Sequence, residues 1–182
     1  MKSLAIFPSR RDLRLVDQPA PRAVGPHDVA LRMLEVGVCG TDREICAFLY
    51  GTPPAGCEHL VIGHESLGEV IEIGPEVTRV NPGDLVVPMV RRPCAVPSCA
   101  ACGEDRQDFC FTGQFAERGI TAAHGFLAEV VVDHEKYMNP VPSSSTSTTC
   151  ATGWSAIPRS RSRPSSVARG AIATGCTSTT PT

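Results

Sequence analysis

Cys94-Ala-Val-Pro-Ser-Cys99-Ala-Ala-Cys102-Gly-Glu-Asp-Arg-Gln-Asp-Phe-Cys110 places four thiols within seventeen residues, separated by four, two and seven positions. Four thiolates are the donor set of a closed tetrahedral zinc site, because the ion is borderline-soft and has no d-electron preference for another geometry. Two intervening residues let Cys99 and Cys102 bind one ion from a single tight turn, while the wider gaps bring Cys94 and Cys110 in from either side. A pair of disulfides in a secreted chain, or thiols placed by chance, are the alternatives. The N-terminus gives no sign of secretion, and chance seldom clusters four thiols so closely. The run therefore reads as a structural zinc lobe.

The surrounding composition, 42% hydrophobic and 20% charged over 182 residues, fits a globular protein. A net charge of −2 gives no reason to expect nucleic acid or an anionic membrane as partner. Residues 1–15 carry four Lys or Arg and no apolar run of signal-peptide length, and no later stretch is apolar enough to span a bilayer. Nine cysteines in such a chain read as reduced thiols and metal ligands, which implies a cytoplasmic location.

Upstream, Asp28 to Cys39 sets Val29, Leu31 and Met33 at a two-residue period, the mark of a strand with one buried face. Thr41-Asp42-Arg43-Glu44 then matches a capping box, with Thr41 taking a free N–H and Glu44 reaching back. Ile45, Phe48 and Leu49 would form the buried stripe of a short helix stopped by Gly51 and Pro53-Pro54. Leu60 to Ile62, Leu67 to Ile73, Leu85 to Val90 and Phe126 to Val132 are further apolar runs, divided by Gly and Pro turns. Short strands at this spacing predict a mainly β domain, largely antiparallel and barrel-like.

Two other pieces carry chemistry: Cys39-Gly40-Thr41-Asp42, and Gly63-His64-Glu65-Ser66-Leu67-Gly68 followed by Gly74. Singly, a His beside a Glu is usually a structural pair, and a Cys at a strand end a small buried hydrophobe. Together they offer sulfur, imidazole and carboxylate donors suited to an open, catalytic zinc site.

With Pro82-Gly83-Asp84 and the cysteine lobe in the same order, residues 1–142 resemble the GroES-like catalytic domain of the zinc-dependent medium-chain alcohol dehydrogenases. Thr41-Asp42-Arg43-Glu44, Arg91-Arg92 and Asp108-Phe109-Cys110-Phe111-Thr112-Gly113 leading into Glu117-Arg118-Gly119-Ile120 resemble the glucose dehydrogenase branch. The resemblance implies a partly open GroES-like β-barrel with a short helix and a zinc-binding lobe. It implies two zinc ions: a catalytic one on Cys39 and His64, with Glu65 as ligand or close neighbour, and a structural one on Cys94, Cys99, Cys102 and Cys110. Thr41 would share the proton of the substrate hydroxyl, or else only cap the helix, and Glu117 would contact the sugar. Asp42 would orient the zinc ligands or serve the cap. Arg91-Arg92 would bind a cofactor phosphate or form a paired surface charge. Val90 stands where the branch can place an Asn that bonds the sugar, and it offers no hydrogen bond. Cys46 and Cys57 read as core or loop thiols, and His27, His59, His124 and His134 as solvated or structural residues.

The resemblance further implies a small sugar, polyol or alcohol substrate, NAD(P) as hydride acceptor and a homo-oligomeric parent family. It ends near Pro142. All nineteen Asp and Glu and thirteen of the seventeen Lys and Arg precede Ser143, so residues 1–142 carry −6 and residues 143–182 carry +4. Nearly half of the last forty residues are Ser or Thr, with no Leu, Phe, Lys, Asp or Glu, which predicts a disordered or out-of-frame tail. Gly170 to Gly175 lacks the glycine pairing and following acid of a dinucleotide-binding turn, so a Rossmann domain is expected to be missing and the chain inactive by itself. The functional expectation is an incomplete zinc- and NAD(P)-dependent sugar or polyol dehydrogenase. A non-enzymatic zinc-binding GroES-like module is the alternative, and a zinc-free quinone reductase relative is disfavoured by the six placed donors.

Overall fold

The two-residue period at residues 28–39 becomes the central strand of the largest sheet. In a computed structural model, which describes residues 1–23 and 25–142, Val29 and Leu31 are fully buried and Met33 packs beside them. The tail expected to be disordered, 143–182, lies outside the described residues.

In chain order the elements are β1 (Lys2–Phe7), β2 (Asp12–Asp17), β3 (Asp28–Gly37), α1 (Gly40–Cys46), β4 (Leu60–Val61), β5 (Glu65–Ile73), β6 (Leu85–Pro88) and β7 (Arg91–Arg92), followed by α2 (Ala100–Gly103), β8 (Ala116–Arg118), β9 (Ala122–Ala123), β10 (Val130–His134) and β11 (Met138–Pro140). They form a five-stranded sheet ordered β10-β3-β5-β6-β11 and two three-stranded sheets, β2-β1-β4 and β7-β8-β9. Every pairing is antiparallel except β8 with β9. The β3–β5 register shifts between Ala30 and Leu31 and again between Met33 and Glu35. Such bulges add twist and bend a strand, and the large sheet curls into the half-barrel that the sequence predicted.

The two largest apolar clusters hold the body of this unit, which spans Met1–Pro140. Val29, Leu31, Val70, Val80, Val86 and Met138 fill the curl of the large sheet. Ile6, Leu60, Ile62 and Ile120 pack with Ile45, the buried residue of α1, and so seat that helix on the small sheet.

Several local expectations change. The helix is capped by Cys39 rather than Thr41: the Cys39 sulfur accepts the Thr41 N–H at 3.3 Å, and Asp42 Oδ2 accepts the Cys39 N–H at 2.9 Å. Asp42, not Glu44, is thus the reciprocating acid. Leu49 lies past the helix end and is 78% exposed, although Phe48 packs against the second cluster. The last expected strand begins at Val130, because Phe126 and Leu127 give their N–H groups to Gly63 and Ile62 across the chain. The β1–β2 hairpin was not anticipated.

Candidate functional site

Cys39 sits at the turn between β3 and α1, His64 immediately precedes β5 and Glu65 opens it. The β3–β5 pairing brings these segments together by setting Gly37 opposite Glu65, and a crossing of three glycines fixes the backbone before His64. Gly63 adopts φ +89°, and a Cβ on Gly119 or Gly125 would fall 2.1 or 2.2 Å from the Gly63 carbonyl oxygen. Only bare backbone allows this approach. The residue before His64 is thereby locked against the turn after β8.

From that frame, Cys39 Sγ lies 3.3 Å from His64 Nε2, and His64 Nε2 lies 3.8 Å from Glu65 Oε1. With Zn–S of about 2.3 Å and Zn–N of about 2.0–2.1 Å, two donors on one tetrahedral ion stand roughly 3.6 Å apart. The three donors lie within 4.8 Å of one another, so they fit a common ion. Glu65 is the exposed member, at 54%, while His64 is nearly buried. Of the three donors, Glu65 thus faces solvent, while Cys39 is partly buried. Buried Asp42 turns its Oδ1 toward His64 Nδ1 at 3.4 Å, which aims Nε2 at Cys39. Thr41 is the second helical residue, and its N–H is bound to the Cys39 sulfur.

The four lobe cysteines also converge, all within 4.8 Å of one another and all free. Cys99 immediately precedes α2 and Cys102 lies in it, so one turn delivers two sulfurs. Cys99 and Cys110 are 3.9 Å apart, far beyond the roughly 2.05 Å of a disulfide. Two thiolates on one zinc tetrahedron stand about 3.8 Å apart. Thr112, through its hydroxyl, draws Cys110 down to about 6. The Cys102 thiol is pulled down by the Cys94 N–H, but burial and the neighbouring sulfurs prevail and push it up to about 12. Four packed sulfurs cannot all ionise without a cation among them, and a divalent ion answers that need.

The remaining candidates separate. Glu117 is bound by Arg91, whose Nε and Nη2 reach Glu117 Oε1 at 3.1 and 2.7 Å. Arg92 pairs with Asp133, which also takes Arg118 at 3.0 Å, so both members of the Arg91-Arg92 pair are engaged within the fold. Val90 packs against the cluster around Ile6 and Ile45. Cys46 is partly buried there, and Cys57 is exposed. His124 stacks on His59 with ring centroids 5.1 Å apart and accepts the Val61 N–H. Burial, with His59 and Arg118 nearby, holds its pKa below the ordinary value. His27 bridges Glu135 and Glu76 and stacks on His134. All four histidines are structural in this sense.

Residues 25–143 match the family model of the alcohol dehydrogenase GroES-like domain. The chain belongs to that family. Within it, a curated relative, the glucose 1-dehydrogenase of Methanocella arvoryzae, is 45% identical over 145 residues, covering 79% of this chain and 40% of that protein. The solved glucose dehydrogenase of Haloferax mediterranei, in complex with NADP, Zn and gluconolactone, superposes with a TM-score of 0.70 at 37% identity, over 80% of this chain and 40% of that one. A thermostable alcohol dehydrogenase from Pyrobaculum aerophilum superposes with a TM-score of 0.62 at 29% identity, over 78% and 40% of the two chains. This GroES-like chain thus spans about 40% of the length of the relatives it matches. Among the described residues, no helix is long and apolar enough to cross a membrane.

Proposed function

We propose that this chain is the substrate-binding, zinc-holding part of an NAD(P)-linked oxidoreductase acting on the CH–OH group of a sugar or polyol, and that residues 1–142 form its catalytic domain. The observation that carries the reading is the convergence of Cys39, His64 and Glu65 beside a buried aspartate, in a chain that also gathers four lobe cysteines. Relatives named glucose 1-dehydrogenase support a sugar as the substrate class.

In this reading the chain takes two zinc ions. Cys94, Cys99, Cys102 and Cys110 hold a structural one, closed to substrate. Cys39 and His64 hold the other, with Glu65 as third ligand or close neighbour. A zinc ion bound there would act as a Lewis acid on a substrate hydroxyl. Asp42 keeps the His64 ring oriented toward Cys39. Thr41, fixed at the helix start, receives the hydroxyl proton and passes it outward. Glu117 accepts a hydrogen bond from a second sugar hydroxyl and so sets which carbon faces the metal. A nicotinamide would supply the hydride acceptor, and its contacts are assigned to the part of the relatives' length that this chain does not match. Thiolate ligands suit a reducing compartment, the cytoplasm.

Cobalt substitution tests the proposal. The full chain should take up two ions, and the visible spectrum of one should shift when D-glucose is added. Uptake of a single ion, with no spectral response to glucose or to a simple alcohol, would instead identify a non-enzymatic structural module.

A further inference from the structure

Glu117 uses only one of its carboxylate oxygens within the fold. Arg91 brings two donors, Nε at 3.1 Å and Nη2 at 2.7 Å, onto Glu117 Oε1, and among the described residues Oε2 takes no hydrogen bond. The Glu117 side chain is only 14% exposed, and its second oxygen keeps access to solvent, so it is available to accept a hydrogen bond from a ligand hydroxyl. Arg91 itself is held from three sides. Its guanidinium lies 4.0 Å over the Phe115 ring, its Nη1 donates to the Asp108 carbonyl at 3.2 Å, and β7 pairs Arg91 directly opposite Glu117. Asp108 is two residues from Cys110, so the sulfur lobe props the arginine. Gly119, two residues beyond Glu117, touches Gly63, the neighbour of His64.

We propose that Arg91 is a positioning residue for substrate: it clamps Glu117 by one oxygen and thereby presents the other to a sugar hydroxyl. This rests on the sugar reading above. The planar guanidinium suits the task because it fixes the carboxylate in two contacts, which an ammonium cannot reproduce.

The test is glucose affinity of the full cobalt-loaded chain, measured by calorimetry and by the cobalt spectrum, for wild type, Arg91→Lys, Arg91→Ala, Glu117→Gln and Arg91→Ala/Glu117→Gln. Circular dichroism and metal content verify that each variant is folded, and Arg91→Lys retains charge and stem where alanine unsettles β7. Loss of one well-placed hydrogen bond predicts about tenfold weaker glucose binding for Arg91→Ala and for Glu117→Gln. The double variant should be no weaker than either single one, Arg91→Lys should fall between, and the response to ethanol, which has no second hydroxyl, should be unchanged. Wild-type glucose affinity in folded Arg91→Ala, additive losses in the double variant, or equal losses for glucose and ethanol would each overturn the proposal. A wild-type chain that responds to ethanol but not to glucose overturns the sugar reading itself, and this inference with it.

Discussion

His64 Nδ1 faces Asp42 Oδ1 at 3.4 Å, both atoms are sealed from solvent, and neither has a closer partner among the described residues. Because Asp42 Oδ2 accepts the Cys39 N–H, one carboxylate steadies the ring of one candidate ligand and the backbone of another. Removing an orienting group behind a metal-bound histidine typically weakens metal affinity by about 10–100-fold. Asp42→Ala should weaken the open site by that factor while the sulfur lobe keeps its ion. Competition with a chromophoric chelator, read as two separate affinities, checks this.

Cys102 is 8% exposed and surrounded by the other lobe sulfurs. Cys102→Ser should reduce metal content from two ions per chain to one and lower the melting temperature. Atomic absorption on the purified variant is the readout, and two retained ions would count against a four-sulfur site.

Gly119 has φ +76°, and its position admits no Cβ. Gly119→Ala forces a clash with the Gly63 carbonyl and places a side chain in the left-handed region. The expected loss is about 2–4 kcal/mol of stability, seen as a lower denaturation midpoint. Because the clash lies beside His64, the open site should weaken as well, which a surface glycine such as Gly103 would not cause.

Glu135, 6% exposed, accepts the Thr78 and Arg79 N–H groups and pairs with His27. These contacts, the Thr78 N–H foremost, lower its pKa from an ordinary 4.5 despite the opposing effect of burial. The folded state thus binds its proton less readily than the unfolded chain does. The resulting stability is present above the ordinary carboxylate range and is lost as pH falls through the depressed value. Glu135→Gln should melt at a lower temperature than wild type near neutrality, and the gap should close in acid. Parallel melting curves across that range give the answer.

The lobe donors were legible because few side chains bind zinc and four thiols fall within seventeen residues, whereas Cys39 and His64, 25 positions apart, were joined by the ordered motifs of the family resemblance. β3 was legible because alternation survives wherever one face is buried. The β1–β2 hairpin was not, since β1 lies between β2 and β4 with Ala5, Ile6 and Phe7 all buried. A strand covered on both faces shows no period of two. The helix start was misplaced because cysteine is an unusual cap, and the rule that favours Ser, Thr, Asp and Asn points to Thr41 instead. The Arg91–Glu117 clamp spans 26 positions, and no local spacing announces it.

The Cys39 sulfur is at once a helix cap and a donor facing His64. Folding has already restrained it, so an ion bound as proposed would meet a preorganised thiol instead of recruiting one from a loose turn. The entropic cost of ordering that ligand falls on chain collapse rather than on association. On the proposed reading, the helix start would therefore present a sulfur that an amide proton already restrains.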